Sequence, residues 1–342
     1  MTHLDSGITG LKEAAAQRHL LYGTAVSTFD LSDERSNAAI LRECNAVTPE
    51  YEMKWDVIAA DLEKPDYRAS DKLIAFAAEN GLAFHGHTLW WHGSIPAPLQ
   101  ESGTRRQFAE AALAHLTQTI RRYAGRLHSW DVVNEPLEPD DGRSDGFRHS
   151  RFLDAFGPGY IGQAFRTASV LDPDALLVLN EMGLEYACPK ATRKRRQMLD
   201  LLERELGGGT PIACLGIQSH LDAVDQPRHH PEFRAFLREV DQMGLSVMIT
   251  EMDVTDVNCP GDQIERDRMV ADLYRAYLDL VLEECRVVGV STWCLSDDRT
   301  WLEAFQPRAD GEGLRPLPLD CGLQRKPAWH ALKAALESSS YG

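Results

Sequence analysis

Short apolar runs alternate with longer amphipathic stretches along the chain, and this alternation restricts the possible folds more than any other feature. The runs are rich in β-branched residues, as is typical of strands in a buried parallel sheet. We count about eight units of one strand and one helix, as in a parallel barrel. The predicted strands are residues 20–25, 46–48, 83–89, 129–133, 176–180, 214–218, 246–250 and 287–293.

Amphipathic helices are predicted between the strands, the clearest at 104–123, 190–206, 263–284 and 327–336. Over 342 residues, this pattern favours a closed α/β barrel of the (β/α)8 type over an open doubly wound sheet. No Gly-x-Gly-x-x-Gly motif follows a strand, which weakens the nucleotide-binding alternative. No linker-like segment divides the chain, so we expect a single domain over 1–342 with its core at about 20–336.

Charge and cysteine content exclude several classes of partner. The formal net charge of −16 argues against nucleic acid, whose phosphates would be repelled. No apolar run approaches transmembrane length, so no membrane partner is expected. Seven cysteines without a Cys-x-x-Cys motif indicate reduced, mostly buried thiols and a cytoplasmic protein. Residues 12–18 are polar and helical, unlike a signal peptide, and no feature points to a particular oligomeric state.

A basic cluster occupies residues 193–196 of a predicted helix. The simplest interpretation is a solvated helix face, and the alternative is a patch for targeting or for an anionic ligand.

Two carboxylates, Glu135 and Glu251, each follow one of the predicted strands. In parallel barrels the catalytic groups lie at the carboxyl ends of the strands, so both side chains should face one bound molecule. Glycoside hydrolysis is the chemistry that most needs two opposed carboxyls. For a retaining enzyme we expect a separation of roughly 5–5.5 Å between them.

The neighbours of these carboxylates suit the same chemistry. Asn134 offers an amide to a sugar hydroxyl, while Glu135 reaches the leaving oxygen as general acid. Glu251 and Asp253 are two residues apart and therefore face the same side of a strand. A plain helix-capping turn at 134–136 is the alternative for the first pair.

Gln218 and His220 share a strand face by the same spacing rule. His220 is placed to bridge Glu251 and Asp253, which would keep the nucleophile ionised while its neighbour pushes the acid toward protonation. The alternative for His220 is a hydrogen-bonded core histidine.

Histidines and tryptophans are concentrated in residues 85–92. A zinc site is one interpretation, but no acidic ligand stands at helical spacing and no His-Glu-x-x-His motif is present, so we expect no metal. Aromatic rings interspersed with polar groups fit a sugar platform better. Trp293 and Trp301, which flank a polar loop after the last strand, indicate a second sugar-binding wall, with a core position as the alternative.

Together these residues resemble glycoside hydrolase family 10, the retaining endo-β-1,4-xylanase family. The resemblance runs from about Tyr22 to Trp329 and its pieces occur in the family's order. They are Glu-Tyr-Glu-Met-Lys-Trp at 50–55, Gly-His-Thr-Leu at 86–89, Trp-His at 91–92, Trp-Asp-Val-Val-Asn-Glu at 130–135, Gly-Ile-Gln-Ser-His at 216–220, Ile-Thr-Glu-Met-Asp at 249–253, Trp293, and Lys-Pro-Ala-Trp at 326–329.

The resemblance implies a (β/α)8 barrel, no cofactor, and xylan or xylo-oligosaccharides as the substrate. It implies that Glu135 is the acid/base and Glu251 the nucleophile, tuned by His220 and Asp253. The residues that resemble the family's sugar contacts and aromatic walls are Glu50, Lys54, His87, Trp91, Asn134, Gln218, Trp293 and Trp301.

The chain departs from the family pattern at several positions. Tyr51 stands where Asn is usual, and Gly93-Ser94 stands where Ser-Gln is usual. The others are His85 for Arg, Trp90 for Val, Cys294 for Gly, and Glu181-Met182 for Asp-Tyr. We expect the two lost amides to weaken binding of the second sugar, and Tyr51 and Trp90 to narrow the glycone side.

These departures predict a preference for short xylo-oligosaccharides over long xylan. One alternative is a β-glycosidase of the same fold that acts on a glucoside, a mannoside or a plant glycoside. A non-catalytic carbohydrate-binding protein is a further alternative, which the intact pair of carboxylates disfavours.

Overall fold

A closed barrel of parallel strands forms the centre of the computed structural model, which describes residues 10–101, 103–224 and 230–338. Within these ranges the strand Leu21–Val26 pairs with both Ala46–Pro49 and Val287–Thr292, and Val287–Thr292 also pairs with Ser246–Thr255, which closes the eight-stranded barrel. The predicted (β/α)8 fold is therefore confirmed. The barrel strands are β1 (Leu21–Val26), β2 (Ala46–Pro49), β3 (Ala83–Gly86), β5 (Ser129–Asn134), β6 (Leu176–Glu181), β7 (Cys214–Ile217), β9 (Ser246–Thr255) and β10 (Val287–Thr292).

Two short strands extend the barrel at its carboxyl end. β4 (Trp90–Trp91) pairs with β5, and β8 (His220–Asp222) pairs with β9. The predicted strands 83–89 and 214–218 therefore end early, at Gly86 and Ile217. β9 instead continues to Thr255, because β8 supplies its outer half with a hydrogen-bonding partner.

Helices surround the barrel and connect its strands. They are α1 (Leu11–Ala16), α2 (Thr28–Ser32), α3 (Glu34–Glu43), α4 (Trp55–Ile58), α5 (Arg68–Glu79), α6 (Ala97–Glu101), α7 (Arg105–Tyr123), α8 (Arg151–Phe156), α9 (Tyr160–Leu171), α10 (Pro189–Gly207), α11 (Pro231–Gln242), α12 (Gln263–Glu284), α13 (Leu302–Phe305) and α14 (Pro327–Glu337). In the parts of the chain described above, none of these helices combines the length and the apolar character that a membrane span requires.

Local signals explain why the long helices lie close to the predicted ranges. Thr104 and Asp262 cap α7 and α12 through reciprocal hydrogen bonds with residues three positions later. Pro189 and Pro327 occupy first helical positions, where a missing N–H costs nothing. Gly209, at φ 72°, follows the end of α10 in the left-handed conformation that glycine favours.

The seven cysteines are all free, and five of them are buried. The predicted reduced, mostly buried thiols are therefore present, and the cytoplasmic location stays a prediction. Residues 1–9 and 339–342 of the predicted domain lie outside the described residues.

Trp90 lies in the helix layer, away from the mouth of the barrel. It is 1% exposed, its ring stacks on Phe152, Phe156 and Tyr160, and its indole N–H donates to the carbonyl of Ala112 at 3.1 Å. The expectation that Trp90 narrows a sugar-binding cleft is therefore wrong. On a strand as short as β4, adjacent side chains point to opposite sides, and Trp91 is the one that reaches the mouth.

Candidate active site

Polar side chains from separate strands meet at the carboxyl end of the barrel, where Glu251 is held at its centre. Asn180 donates to Oε1 of Glu251 at 2.8 Å, His87 Nδ1 lies 3.9 Å from the same oxygen, and His220 Nε2 lies 3.5 Å from Oε2. Glu251 is only 6% exposed. Burial raises the pKa of this carboxyl, but the adjacent His87 and His220 outweigh it, and the net pKa lies below the ordinary value.

His220 is fixed on its other side by Asp253. Its Nδ1 lies 3.0 Å from Oδ1 of Asp253, and Trp301 donates its indole N–H to Oδ2 of the same carboxyl at 2.8 Å. The Trp301 ring also meets the imidazole edge-on at 5.1 Å. Burial lowers the pKa of His220, but Asp253 and Glu251 raise it well above its ordinary value, which favours the charged form of the ring.

Glu135 comes directly after β5, in a left-handed backbone conformation at φ 54° that is uncommon for residues other than glycine. Gln218 donates to its Oε1 at 3.1 Å, and His92 Nδ1 lies 3.9 Å from its Oε2. Arg148 donates to its backbone carbonyl at 3.1 Å. The carboxyl is therefore oriented by side chains other than those that hold Glu251.

Asn180 links the surroundings of the two carboxylates. Its amide nitrogen donates both to Glu251 and to Oδ1 of Asn134 at 2.9 Å, and its Oδ1 accepts a hydrogen bond from Thr250 at 2.8 Å. A side chain at Gly216 would collide with this amide oxygen. We did not predict Asn180 as a site residue, although an amide at the end of an apolar run was a signal for it.

Asp131 is a second residue that the sequence interpretation missed. One of its oxygens lies 2.8 Å from Nδ1 of His87 and 2.9 Å from Nε2 of His85. Burial raises the pKa of Asp131, but the effect of the two histidines is larger, and the net pKa is lowered to about 2. This anion orients His87 toward Glu251.

A metal ion would have one candidate position among the described residues. Single ligand-type atoms of His87, Asp131 and Glu251 lie within 4.8 Å of one another. The first two are already joined by a hydrogen bond, so the group also serves as a polar network without an ion. The expected absence of a metal stays a prediction.

Lys54 lies among aromatic rings on one side of the site. Its ammonium is 5.0 Å from the ring centres of Tyr51 and Trp91 and 5.8 Å from that of Trp293. Trp293 in turn meets His87 edge-on at 5.3 Å. Two of the predicted wall indoles, Trp91 and Trp293, thus lie beside two of the predicted sugar contacts, Lys54 and His87.

Glu50 is buried beside this cluster, and burial raises its pKa. Burial and the neighbouring Glu50 carboxyl raise the pKa of the Tyr51 hydroxyl, and Tyr51 is 48% exposed. Tyr51 therefore lies beside the residue predicted to contact the second sugar.

The basic cluster at 193–196 is not a solvated face throughout. Lys194 is buried and pairs with Glu181 at 2.7 Å, and Glu181 also accepts a hydrogen bond from the backbone of Leu137. Arg195 is buried and donates to the carbonyls of Leu184 and Tyr186. The prediction of a solvated face is wrong for these two side chains, which tie α10 to the loop after β6.

The sequence model of glycosyl hydrolase family 10 matches residues 10–335. Endo-1,4-beta-xylanase C of Paenibacillus barcinonensis is 32% identical over 334 residues, which cover 91% of this chain and 30% of that protein. Beta-1,4-xylanase of Dictyoglomus thermophilum is 30% identical over 339 residues, which cover 95% of this chain and 91% of that protein.

Solved structures agree with these sequence matches. Xylanase 10B from Thermotoga petrophila RKU-1, in complex with xylobiose, superposes with a TM-score of 0.86 at 28% identity and covers 98% of this chain and 99% of that one. A GH10 structure from Paenibacillus barcinonensis has a TM-score of 0.85 at 30% identity and covers 96% and 97% of the two chains.

The charge on His220 should depend on Asp253. In Asp253→Asn the pKa of His220 should fall, because a neutral amide no longer stabilises the imidazolium while burial still opposes its charge. Histidine NMR over a pH series measures this, with His220→Asn to assign the signal. The exposed Asp298→Asn is the matched control and should leave the titration unchanged. An unaltered His220 titration in Asp253→Asn would contradict the electrostatic account.

Proposed function

Because the chain belongs to glycosyl hydrolase family 10, and is thus a retaining glycoside hydrolase of the endo-1,4-β-xylanase kind, we propose that it cleaves β-1,4-xylosidic bonds by double displacement. The observation that carries the proposal is that Glu135 and Glu251 are each oriented by a different set of side chains. Histidines and Asn180 surround Glu251, while Gln218 and His92 face Glu135.

In the first step Glu251 attacks the anomeric carbon. The bond from this carbon to the leaving oxygen breaks, Glu135 gives its proton to that oxygen, and an ester forms between the sugar and Glu251. The lowered pKa of Glu251 supports this role, since a nucleophile must be ionised at working pH.

In the second step water replaces the carboxylate. Glu135 takes a proton from the water, whose oxygen bonds to the anomeric carbon as the ester breaks, and the sugar leaves with its configuration retained. Both carboxyls return to their starting states. The raised pKa of His220 favours a positive charge beside Glu251, and that charge would favour departure of the carboxylate as an anion.

The surrounding residues bind the sugars in this proposal. Asn134, His87, Lys54 and Gln218 contact the ring at the cleavage point, and the indoles of Trp91, Trp293 and Trp301 provide apolar walls for sugar faces. The xylobiose complex of the Thermotoga petrophila enzyme supports a xylo-oligosaccharide ligand for this site.

Short xylo-oligosaccharides are the proposed preferred substrates. Glu50 is the residue proposed to bind the second sugar on the glycone side, and the Tyr51 hydroxyl is close enough to its carboxyl for the two groups to affect each other's pKa. A sugar hydroxyl then competes with the Tyr51 hydroxyl for Glu50. Ser94 lacks the amide usual at its position, which removes a second contact to the same sugar. The additional sugars of xylan then contribute little to binding.

The activity is tested with a ladder of xylo-oligosaccharides and polymeric xylan. The protein should cleave the ladder, and Glu251→Ala should abolish cleavage, because no group remains to form the ester. Glu79→Ala, an exposed change on α5, is the matched control and should retain full activity. If the folded wild-type protein leaves every xylo-oligosaccharide intact, the proposed substrate is wrong, and other β-glycosides become the next test.

Chain-length preference is tested at Tyr51. In Tyr51→Asn the kcat/KM on xylan relative to xylotriose should rise by roughly threefold to tenfold, the effect of about one hydrogen bond. Tyr51→Phe, which keeps the ring and loses the hydroxyl, separates the two contributions. Comparable wild-type rates on xylan and xylotriose would contradict the proposed preference.

A further inference from the structure

The segment from Trp293 to Trp301 leaves β10 and places an indole in the site at each of its ends. Its midpoint is Asp297, which opens a short 3-10 helix at Asp297–Arg299. Asp297 is 4% exposed, although it belongs to a loop at the mouth of the barrel. A carboxylate buried at this position needs partners.

Lys326 is the main partner of Asp297. Its ammonium nitrogen lies 3.0 Å from Oδ1 and 2.8 Å from Oδ2 of Asp297, and it also donates to the carbonyl of Arg315 at 2.8 Å. The backbone N–H of Leu317 donates to Oδ1 at 3.0 Å. Lys326 is itself 3% exposed, so all three of its donors are used inside the protein.

Lys326 immediately precedes α14, the last helix described, which packs on α12 and α1. Other charges brace the position: Arg315 pairs with Asp267 at 2.8 and 2.9 Å, and Asp267 lies 3.9 Å from the Lys326 ammonium. The pair therefore joins a loop of the site to a rigid part of the outer helix layer.

A series of side-chain contacts leads from this loop to the proposed nucleophile. Trp301, four residues after Asp297, donates a hydrogen bond to Asp253. Asp253 contacts His220, and His220 faces Glu251. Each contact in this series depends on the one before it for direction. A shift of the loop would therefore reach Glu251 without any change in the residues that touch it.

We propose that Lys326 is a positioning residue, whose buried ion pair with Asp297 holds the 293–301 segment so that Trp301 and Asp253 keep His220 directed at Glu251. The inference rests on the proposed function, in which Glu251 is the nucleophile. It assigns a role to the Lys-Pro-Ala-Trp run at 326–329, which the two-carboxylate chemistry alone leaves unused.

The charges of the pair favour a positioning role over a stabilising one. Burial raises the pKa of Asp297 to about 6 despite its contact with Lys326, and burial lowers the pKa of Lys326. Buried ion pairs generally add little net stability, because loss of hydration opposes the attraction between the two charges. A fixed geometry is what the pair provides.

The test compares Lys326→Met, the neutral pair Asp297→Asn/Lys326→Met, and the control Lys333→Met. Lys333 lies on α14 and makes a surface pair with Glu337. The neutral pair avoids leaving an unpaired buried charge, so it carries the test if the single variant fails to fold. Thermal unfolding, kcat and KM on xylotriose, and histidine NMR are measured on each protein.

The neutral pair should reduce kcat by roughly tenfold to hundredfold, the effect of a misplaced reacting group, and Lys333→Met should not. The pKa of His220 should fall as its contact with Asp253 loosens. A purely structural role would lower the melting temperature while leaving kcat and the His220 titration as in the wild type, and that result would overturn the proposal. If the wild-type protein fails to cleave xylotriose, the function is wrong, and the His220 titration still decides the positioning role.

Discussion

An ionised carboxylate buried in the mouth of a barrel is the constraint on which the site depends. Burial alone would raise the pKa of Glu251, because a charge is poorly solvated away from water. The chain prevents this with a hydrogen bond from Asn180 and with His87 and His220 close by. Each of these histidines in turn contacts another carboxylate, Asp131 beside His87 and Asp253 beside His220.

Asp131 and Asp253 connect the chemistry to the fold. Asp131 lies within β5 and Asp253 within β9, so the barrel strands place the two carboxylates that contact the histidines. Asp253 also accepts from Trp301, which brings the last loop into the same network. The geometry around Glu251 is thus built mainly from hydrogen-bonded strands, with His87 in the β3–β4 connection and Trp301 in the loop after β10. Such a framework suits a site that must hold its reacting groups still.

The sequence predicted much of this architecture because its signals were local. Strands of a parallel barrel are short apolar runs, and caps such as Thr104 and Asp262 mark where long helices begin. Glu135 and Glu251 were found because a carboxylate that ends an apolar run is conspicuous. The two-residue spacing of Glu251 and Asp253 gave their common face, and the structure brings both to His220.

The features that the sequence did not predict depend on which way a side chain points and on contacts between different strands and helices. Nothing local distinguishes Trp90 from Trp91, yet one ring packs under the helices and the other faces Lys54. Lys194 and Arg195 looked solvated because their partners, Glu181 at the end of β6 and carbonyls of the loop after it, lie outside α10 and at no helical spacing from it. Asn180 and Asp131 were read as parts of strands, because their function appears only when neighbouring strands are placed side by side.

The central claim is that Glu251 forms a covalent bond to the sugar while Glu135 exchanges the proton. The direct measurement uses a 2-deoxy-2-fluoro-xylobioside with a good leaving group, which slows the second step more than the first, followed by peptide mass spectrometry. The account predicts inactivation with one fluoroxylobiosyl group on the peptide that contains Glu251. A group attached to Glu135, or turnover that releases product of inverted configuration, would contradict it.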